Sequence, residues 1–219
     1  MQFQLSYSGL QWSDLSFVLT GIWHTVLLTL LAAFFGTLLG GVIGWAREQS
    51  AVVRVALAPL VDLLRSIPLI IQFVLVNSFF ALSGVPISPL TVGVIVLSLY
   101  MGVLTSELVR SGLQSVRIQL RKAARSLGLS YWQEFWHVCM PLALRTVFPG
   151  WIGTVIALTK DTALVSVVGY VELLRASQIL INRTNEALLV LAGTGLFYFL
   201  ICYPVSRYSR RLEKVMHHD

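Results

Sequence analysis

Long uncharged stretches dominate the pattern of hydrophobic and polar positions along this chain. Residues 15–46, 66–106, 146–159 and 187–206 contain no Asp, Glu, Lys or Arg. An α-helix rises about 1.5 Å per residue, so about 20 apolar residues cross the roughly 30 Å hydrocarbon core of a membrane. The pattern therefore predicts an all-α integral membrane protein.

The lengths of these stretches predict about five transmembrane helices. Residues 66–106 are long enough for two crossings, and the turn-forming residues 83–89 divide them. Residues 146–159 are too short for a crossing, so the fourth span must continue past Lys160 and Asp161. The predicted spans are residues 20–46, 66–83, 89–109, 146–168 and 187–206.

The composition supports the same class and excludes others. Hydrophobic residues make up 56% of the chain, charged residues make up 12%, and the mean hydropathy is +0.78. A soluble domain carries about twice that charged fraction, so a disordered chain and a nucleic-acid-binding domain are both excluded. Cys139 and Cys202 are far apart without metal-ligand spacing, and neither a structural disulfide nor a metal site is predicted.

The basic residues predict how the chain is oriented. Cytoplasmic flanks of transmembrane helices are enriched in Lys and Arg. If the N-terminus lies outside and the C-terminus lies in the cytoplasm, then Arg175 and Arg183 are the only Lys or Arg residues outside, and Lys160 lies within the membrane. The basic residues that then face the cytoplasm are Arg47, Arg54, Arg65, Arg110, Arg117, Arg121, Lys122, Arg125, Arg145, Arg207, Arg210, Arg211 and Lys214.

The longest polar segment, residues 110–145, has the pattern of a cytoplasmic helical hairpin. Apolar residues recur at helical spacing from Leu113 to Leu127, and arginines recur every four residues on the other face. Gly128 is a natural helix stop. Ser130 and Gln133 have capping-box spacing and predict a second helix, expected to end before the proline at position 141. A surface helix whose basic face binds anionic lipid is the alternative.

Four stretches, in this order along the chain, resemble the permease subunits of ABC importers. Residues 122–128 read Lys-Ala-Ala-Arg-Ser-Leu-Gly and are followed by Met140, Pro141 and Arg145, which together resemble the EAA motif of that family. Three further stretches resemble its polar amino acid branch, the histidine, glutamate, glutamine and arginine type. They are residues 65–69 with Gln72, residues 106–116 and residues 160–164.

The resemblance implies a function and a set of partners. It implies a multi-pass permease in the bacterial cytoplasmic (inner) membrane, with residues 1–219 as one membrane domain. This permease would translocate polar amino acids, driven by ATP hydrolysis in a separate subunit. The implied partners are a second permease subunit, identical or different, two cytoplasmic ATPase subunits, an extracytoplasmic amino-acid-binding protein and the lipid membrane. No nucleic acid partner is implied.

The chain itself is not expected to be an enzyme or to bind a cofactor. None of its lysines follows a glycine, so it contains no P-loop, and ATP and Mg would be bound by the partner ATPase. No catalytic residue is therefore assigned.

In the permease family, the EAA-like loop forms a coupling helix that inserts into a groove on the ATPase. Two residues depart from the motif: Lys122 stands where a glutamate is expected, and Leu142 stands where this branch often has glutamine. The glutamate is credited with holding the internal hydrogen bonds of the loop, so its absence leaves the packing of this loop open. The residues that the resemblance assigns to ATPase coupling are Lys122, Ala123, Ala124, Leu127, Gly128, Leu129 and Ser130.

Ionisable residues in the membrane form a second candidate site, because they are costly there and mark a pathway or a partner. Lys160 and Asp161 project about 100° apart on a helix, so each is expected to find its own partner, or the helix is broken there. They either fix the fold or lie beside the translocation route. Glu107 and Arg110 lie one turn apart and are expected to pair, as a structural contact or a gate. The candidate pathway or gate residues are Arg65, Pro68, Gln72, Glu107, Arg110, Lys160, Asp161 and Thr162.

Proline and glycine positions predict two further features. Pro68 prevents an unbroken second span, and a membrane tolerates such a break only where protein or a water-filled cavity covers it. Gln72, one turn deeper, could face that cavity. Gly36, Gly40 and Gly44 repeat every four residues in the first span and predict a packing face, within the subunit or with a second permease.

Two other classes of membrane protein compete with this interpretation. A secondary transporter or channel driven by an ion gradient would need no cytoplasmic docking helix, and such proteins often show inverted repeats, which this sequence does not display. A membrane enzyme acting on lipid would need acids or histidines converging at one membrane depth, and the candidate residues do not supply such a cluster.

Overall fold

The computed structural model describes residues 9–216, with side chains through residue 213. Over this range the regular secondary structure is helical, which confirms the predicted all-α class. The elements are α1 (Trp12–Gln49), α2 (Ala51–Ser66), α3 (Leu69–Leu82), α4 (Pro89–Ser115), α5 (Ile118–Ser126), α6 (Tyr131–Glu134), a π-helical turn (Phe135–Cys139), α7 (Met140–Asp161), a 3-10 segment (Thr162–Val168), α8 (Leu173–Thr184) and α9 (Ala187–Met216).

Four of the described helical segments are long and apolar enough to cross a membrane. They are Trp12–Gln49, Pro89–Ser115, Tyr131–Val168 and Ala187–Glu213. A fifth crossing exists if α2 and α3 count as one span, although the two helices meet at an angle of 106°. The prediction of about five spans is therefore confirmed, with a second span that is sharply bent.

The second span differs from the predicted one because it uses two helices. The predicted residues 66–83 correspond to α3, which has 14 residues. A helix of that length rises about 21 Å, less than the hydrocarbon core. The preceding helix α2 was not predicted from the sequence.

A side-chain amide hydrogen-bonds the free carbonyl oxygens at the bend near Pro68. Pro68 has no backbone N–H, and α2 ends at Ser66. The Nε2 of Gln72 donates to the carbonyl oxygen of Leu64 at 2.8 Å and to that of Ile67 at 2.9 Å. Gln72 is 6% exposed. Within this chain its amide therefore satisfies two carbonyl oxygens at the helix break.

The helices α1 and α4 pack so closely along the predicted glycine face that their backbones are in contact. A Cβ atom at Gly40 would lie 2.5 Å from the carbonyl oxygen of Gly102 and 2.5 Å from the Cβ of Thr105. The positions of Gly36 and Gly44 are similarly close to α4. This face is therefore used within the chain, and it brings the charged ends of α1 and α4 together.

The fourth span changes its helix type at the ionisable pair. α7 ends at Asp161, and the chain continues as the 3-10 segment Thr162–Val168. Gly169, with φ of 89°, ends this segment in the left-handed region. Of the two outcomes expected for Lys160 and Asp161, the structure shows a break in the α-helix.

The amphipathic helix α8 was also missed from the sequence. It has 12 residues, too few to cross a membrane. Its N-cap residue is Glu172, which is fully buried and whose carboxylate accepts the backbone N–H groups of Leu174 and Arg175, both at 2.7 Å. This cap holds α8 against α1, where the backbone N–H of Leu173 donates to Thr25.

Candidate coupling hairpin and translocation groove

Residues 118–139 form a helical hairpin, called the hairpin below. Its first arm is α5, and its second arm is α6 with the π-helical turn. Gly128 connects the arms with φ of 88°, in the left-handed region that glycine adopts without strain. Ser130 and Gln133 form a capping box, in which Oε1 of Gln133 accepts the Ser130 N–H at 2.8 Å. The glycine turn and the capping box are where the sequence predicted them.

The connections of the hairpin to the bundle differ from the prediction. The helix expected from Leu113 to Leu127 is interrupted, because α4 ends at Ser115 and the next two residues, Val116 and Arg117, are not helical. The second arm does not end before Pro141. The Met140 N–H bonds to the carbonyl of Phe135 in the wider π-helical turn, and Pro141 sits in the first turn of α7, where its missing N–H is tolerated. The second arm is therefore continuous with the fourth span.

One buried carboxylate joins the two arms. Glu134 is 2% exposed. The Nε of Arg121 donates to its Oε1 at 2.7 Å, and the Nε of Arg125 donates to its Oε2 at 3.2 Å. The hydrogen bond to Glu134 raises the pKa of Arg121 above its ordinary value, although burial opposes this shift. The sequence pattern placed these arginines on a polar face and gave no sign of Glu134 as their partner.

The base of the hairpin is anchored by aromatic rings. Trp132 stacks on Trp45 of α1, with ring centroids 6.0 Å apart and planes inclined by 24°. Phe135 is buried in a cluster with Leu113 and Ala143, which belong to α4 and α7. A displacement of the second arm would therefore act on three membrane-spanning helices.

The tip of the hairpin presents apolar side chains to its surroundings. Leu127 is 82% exposed, and it borders a shallow pocket with Gly128 and Leu129. Exposed apolar groups of this kind, bordered by polar ones, are typical of an interaction site. Of the other predicted coupling residues, Lys122, Ala123 and Ser130 are exposed, and Ala124 is buried.

Four charged side chains form a network where α1 and α4 end. The Nη1 of Arg47 lies 2.8 Å from Oε1 of Glu107, and Arg47 is only 5% exposed. Arg110 lies 3.9 Å from Glu107 and 3.7 Å from Glu48. The expected pairing of Glu107 with Arg110 is present but loose, and the closer partner is Arg47, about 60 residues earlier in the chain.

Lys160 and Asp161 occupy different environments. Lys160 is exposed and Asp161 is half-buried, and within the described part of the chain neither forms an ion pair. Thr162 is fully buried, and its hydroxyl donates to the carbonyl of Thr159 at 2.8 Å. The candidate residues Arg65 and Pro68 are exposed at the bend of the second span.

Lys160 opens onto a groove between α7 and α9, called the Lys160 groove below. The groove has a volume of about 540 Å³. Its polar lining residues include Tyr203, Ser206 and Arg210 of α9. An ammonium, a hydroxyl and a guanidinium along one groove can bind a carboxylate group. Among the described residues, no group of three or more His, Cys, Asp or Glu side chains could hold a metal ion.

The all-α bundle with one bent span and a hairpin at the charged helix ends matches the fold of a solved amino acid ABC transporter. The chain belongs to the family described as binding-protein-dependent transport system inner membrane component, whose model matches residues 32–218. It is therefore an inner membrane permease component, which is not itself catalytic. Members of this family work with an ATPase and a substrate-binding protein.

The chain is similar to named members of this family over nearly its whole length. It is 32% identical to the probable glutamine ABC transporter permease protein GlnP of Bacillus subtilis, covering 87% of this chain and 88% of the relative. It is 30% identical to the glutamine transport system permease protein GlnP of Escherichia coli K12, covering 97% and 98%. A solved structure, an amino acid ABC transporter with histidines, has a TM-score of 0.84 at 25% identity and covers 92% and 95%.

Proposed function

We propose that this chain is the permease subunit of an ABC importer for polar amino acids. The observation that carries the proposal is the hairpin, whose exposed tip includes Leu127 and whose second arm runs without interruption into α7. The names of its relatives, which are glutamine and other amino acid permeases, support the substrate class. The two lines of support are independent, because one concerns the driving mechanism and the other concerns the cargo.

The energy for transport comes from a separate subunit in this proposal. Two ATPase subunits bind ATP and Mg on the cytoplasmic face, and the hairpin inserts its tip into one of them. A second permease subunit, identical or different, completes the membrane domain. An extracytoplasmic binding protein delivers the amino acid to the opposite face.

The Lys160 groove is the proposed contact between this chain and its cargo. Polar amino acids carry a carboxylate, and Lys160 and Arg210 are exposed cations on one groove. Ionisable residues in a membrane domain commonly mark the path of the substrate. When the hairpin moves, α7 moves with it, and Lys160 lies one residue before the end of α7. The same helix therefore connects the ATPase contact to the groove.

Reconstitution tests the proposal directly. Liposomes containing the permease, the ATPase and the binding protein are loaded with ATP, and uptake of radiolabelled glutamine, glutamate, histidine and arginine is measured. We expect uptake of at least one of these that requires both ATP and the binding protein. Uptake on an ion gradient without ATP would favour a secondary transporter, and turnover of the liposome lipid would favour a membrane enzyme; either would contradict the proposal.

A further inference from the structure

The two arms of the hairpin share little apolar surface. In α5, Ile118 is 53% exposed and Leu120 is 46% exposed, and Ala124 is the buried residue of this helix. Burial of apolar surface is what usually fixes one helix against another. Here it contributes little, so the angle between the arms must depend on polar contacts.

Glu134 supplies those polar contacts from the second arm. Each of its carboxylate oxygens accepts a different arginine, Arg121 at 2.7 Å and Arg125 at 3.2 Å, and these arginines lie one turn apart on α5. Two charge-assisted hydrogen bonds to separate oxygens fix orientation as well as distance. Because Glu134 is 2% exposed, water does not replace these bonds easily.

The first arm offers no carboxylate of its own. Lys122, at the position where the EAA pattern has glutamate, is exposed and forms no ion pair within the described residues. The remaining contacts across the turn are local. The Leu129 N–H donates to the carbonyl of Ala124 at 3.3 Å, and Arg125 lies over the ring of Tyr131.

We propose that Glu134 is a positioning residue that makes the hairpin act as a rigid lever. The inference rests on the proposed function, in which an ATPase drives this permease through the hairpin. While Glu134 binds both arginines, the two arms move as one body, and a displacement of the tip moves α7 by the full amount. Without it, α5 pivots at the non-helical residues 116–117 and at Gly128, and ATP is hydrolysed with less transport.

The test uses the complete transporter in liposomes and measures the number of ATP molecules hydrolysed per amino acid taken up. The variant Glu134→Gln keeps the shape of the side chain and removes its charge. We expect this ratio to rise at least about fivefold, the lower end of typical coupling between sites, with the KM for ATP unchanged. The matched control is Glu186→Gln, an exposed glutamate directly before α9, for which the wild-type ratio is expected.

A double-mutant cycle tests whether Glu134 acts through Arg121. If both belong to one contact, Glu134→Gln with Arg121→Gln should raise the ratio no further than Glu134→Gln alone. A purely structural role would instead lower the amount of assembled transporter and leave the ratio unchanged. Additive effects on the ratio would contradict the shared contact.

The outcomes separate this inference from the proposed function. If the wild-type transporter shows no ATP-dependent uptake, the proposed function is wrong, and the inference that rests on it is wrong as well. Normal uptake by the wild type with an unchanged ratio in Glu134→Gln would overturn the inference alone. If Glu134→Gln does not assemble, Arg121→Gln decides, since it removes the cation that donates to Oε1 of Glu134 and leaves Glu134 in place. A raised ratio in that variant supports the rigid lever, and a wild-type ratio overturns it.

Discussion

Replacing Gly40 with alanine should destabilise the bundle, because α1 and α4 leave no room for a methyl group. The new Cβ would lie 2.5 Å from both the Gly102 carbonyl oxygen and the Thr105 Cβ, and 3.0 Å from the Ser106 nitrogen. Two of these three atoms are backbone, so α4 itself must move. Overpacking of this kind costs about 1–3 kcal/mol of unfolding free energy. At about 2–4 °C per kcal/mol for a chain of this size, the melting temperature should fall by about 2–12 °C.

The neighbouring glycine provides the control for this experiment. A Cβ at Gly41 would meet nothing within 4 Å. Gly41→Ala should therefore keep or raise the melting temperature, since alanine is favoured over glycine in a helix by about 1 kcal/mol. The assay is thermal unfolding of the detergent-purified permease, followed by the fraction that stays monodisperse. Equal melting temperatures for Gly40→Ala and Gly41→Ala would refute the close packing of α1 on α4.

Three further substitutions test the loop, the bend and the groove. Gly128→Val should strain the turn by about 1–2 kcal/mol, because valine disfavours positive φ. ATP-driven uptake should fall while the protein still inserts into the membrane, and normal uptake would refute the coupling role. Gln72→Leu should lower the unfolding free energy by about 1–3 kcal/mol, measured by thermal unfolding, because two carbonyls lose their donor; an unchanged melting temperature would contradict the role of Gln72 at the bend. Lys160→Ala should raise the KM for uptake with normal abundance in the membrane; loss of the protein from the membrane would show a structural role instead.

Features encoded by neighbouring residues could be predicted from the sequence. The capping box at Ser130, the glycine turn at Gly128 and the glycine face of α1 each depend on residues within a few positions of one another. For such features, the number of residues between two positions in the sequence determines how far apart they lie in the structure. The number of spans could be predicted for the same reason, since the length of an apolar stretch determines whether a helix can cross the membrane.

Features that depend on distant partners could not be predicted. Arg47 finds Glu107, and Glu134 finds Arg121 and Arg125, only after the helices have packed. The sequence marked a break at Pro68, but not the 106° angle between α2 and α3. At this angle, Gln72 contacts one carbonyl of α2 and one at the bend. No local sequence pattern predicts these two contacts.

The central claim is that the hairpin is the mechanical link to the ATPase, and site-directed cross-linking tests it most directly. The native Cys139 and Cys202 are replaced by serine, and a single cysteine is placed at Leu127, which is 82% exposed at the tip. A matched cysteine at Val85, 59% exposed in the connection between α3 and α4, is the control. We predict that Leu127→Cys cross-links to the ATPase with a yield that changes when ATP is added, and that Val85→Cys does not. Cross-linking of the ATPase to position 85 and not to position 127 would contradict the account.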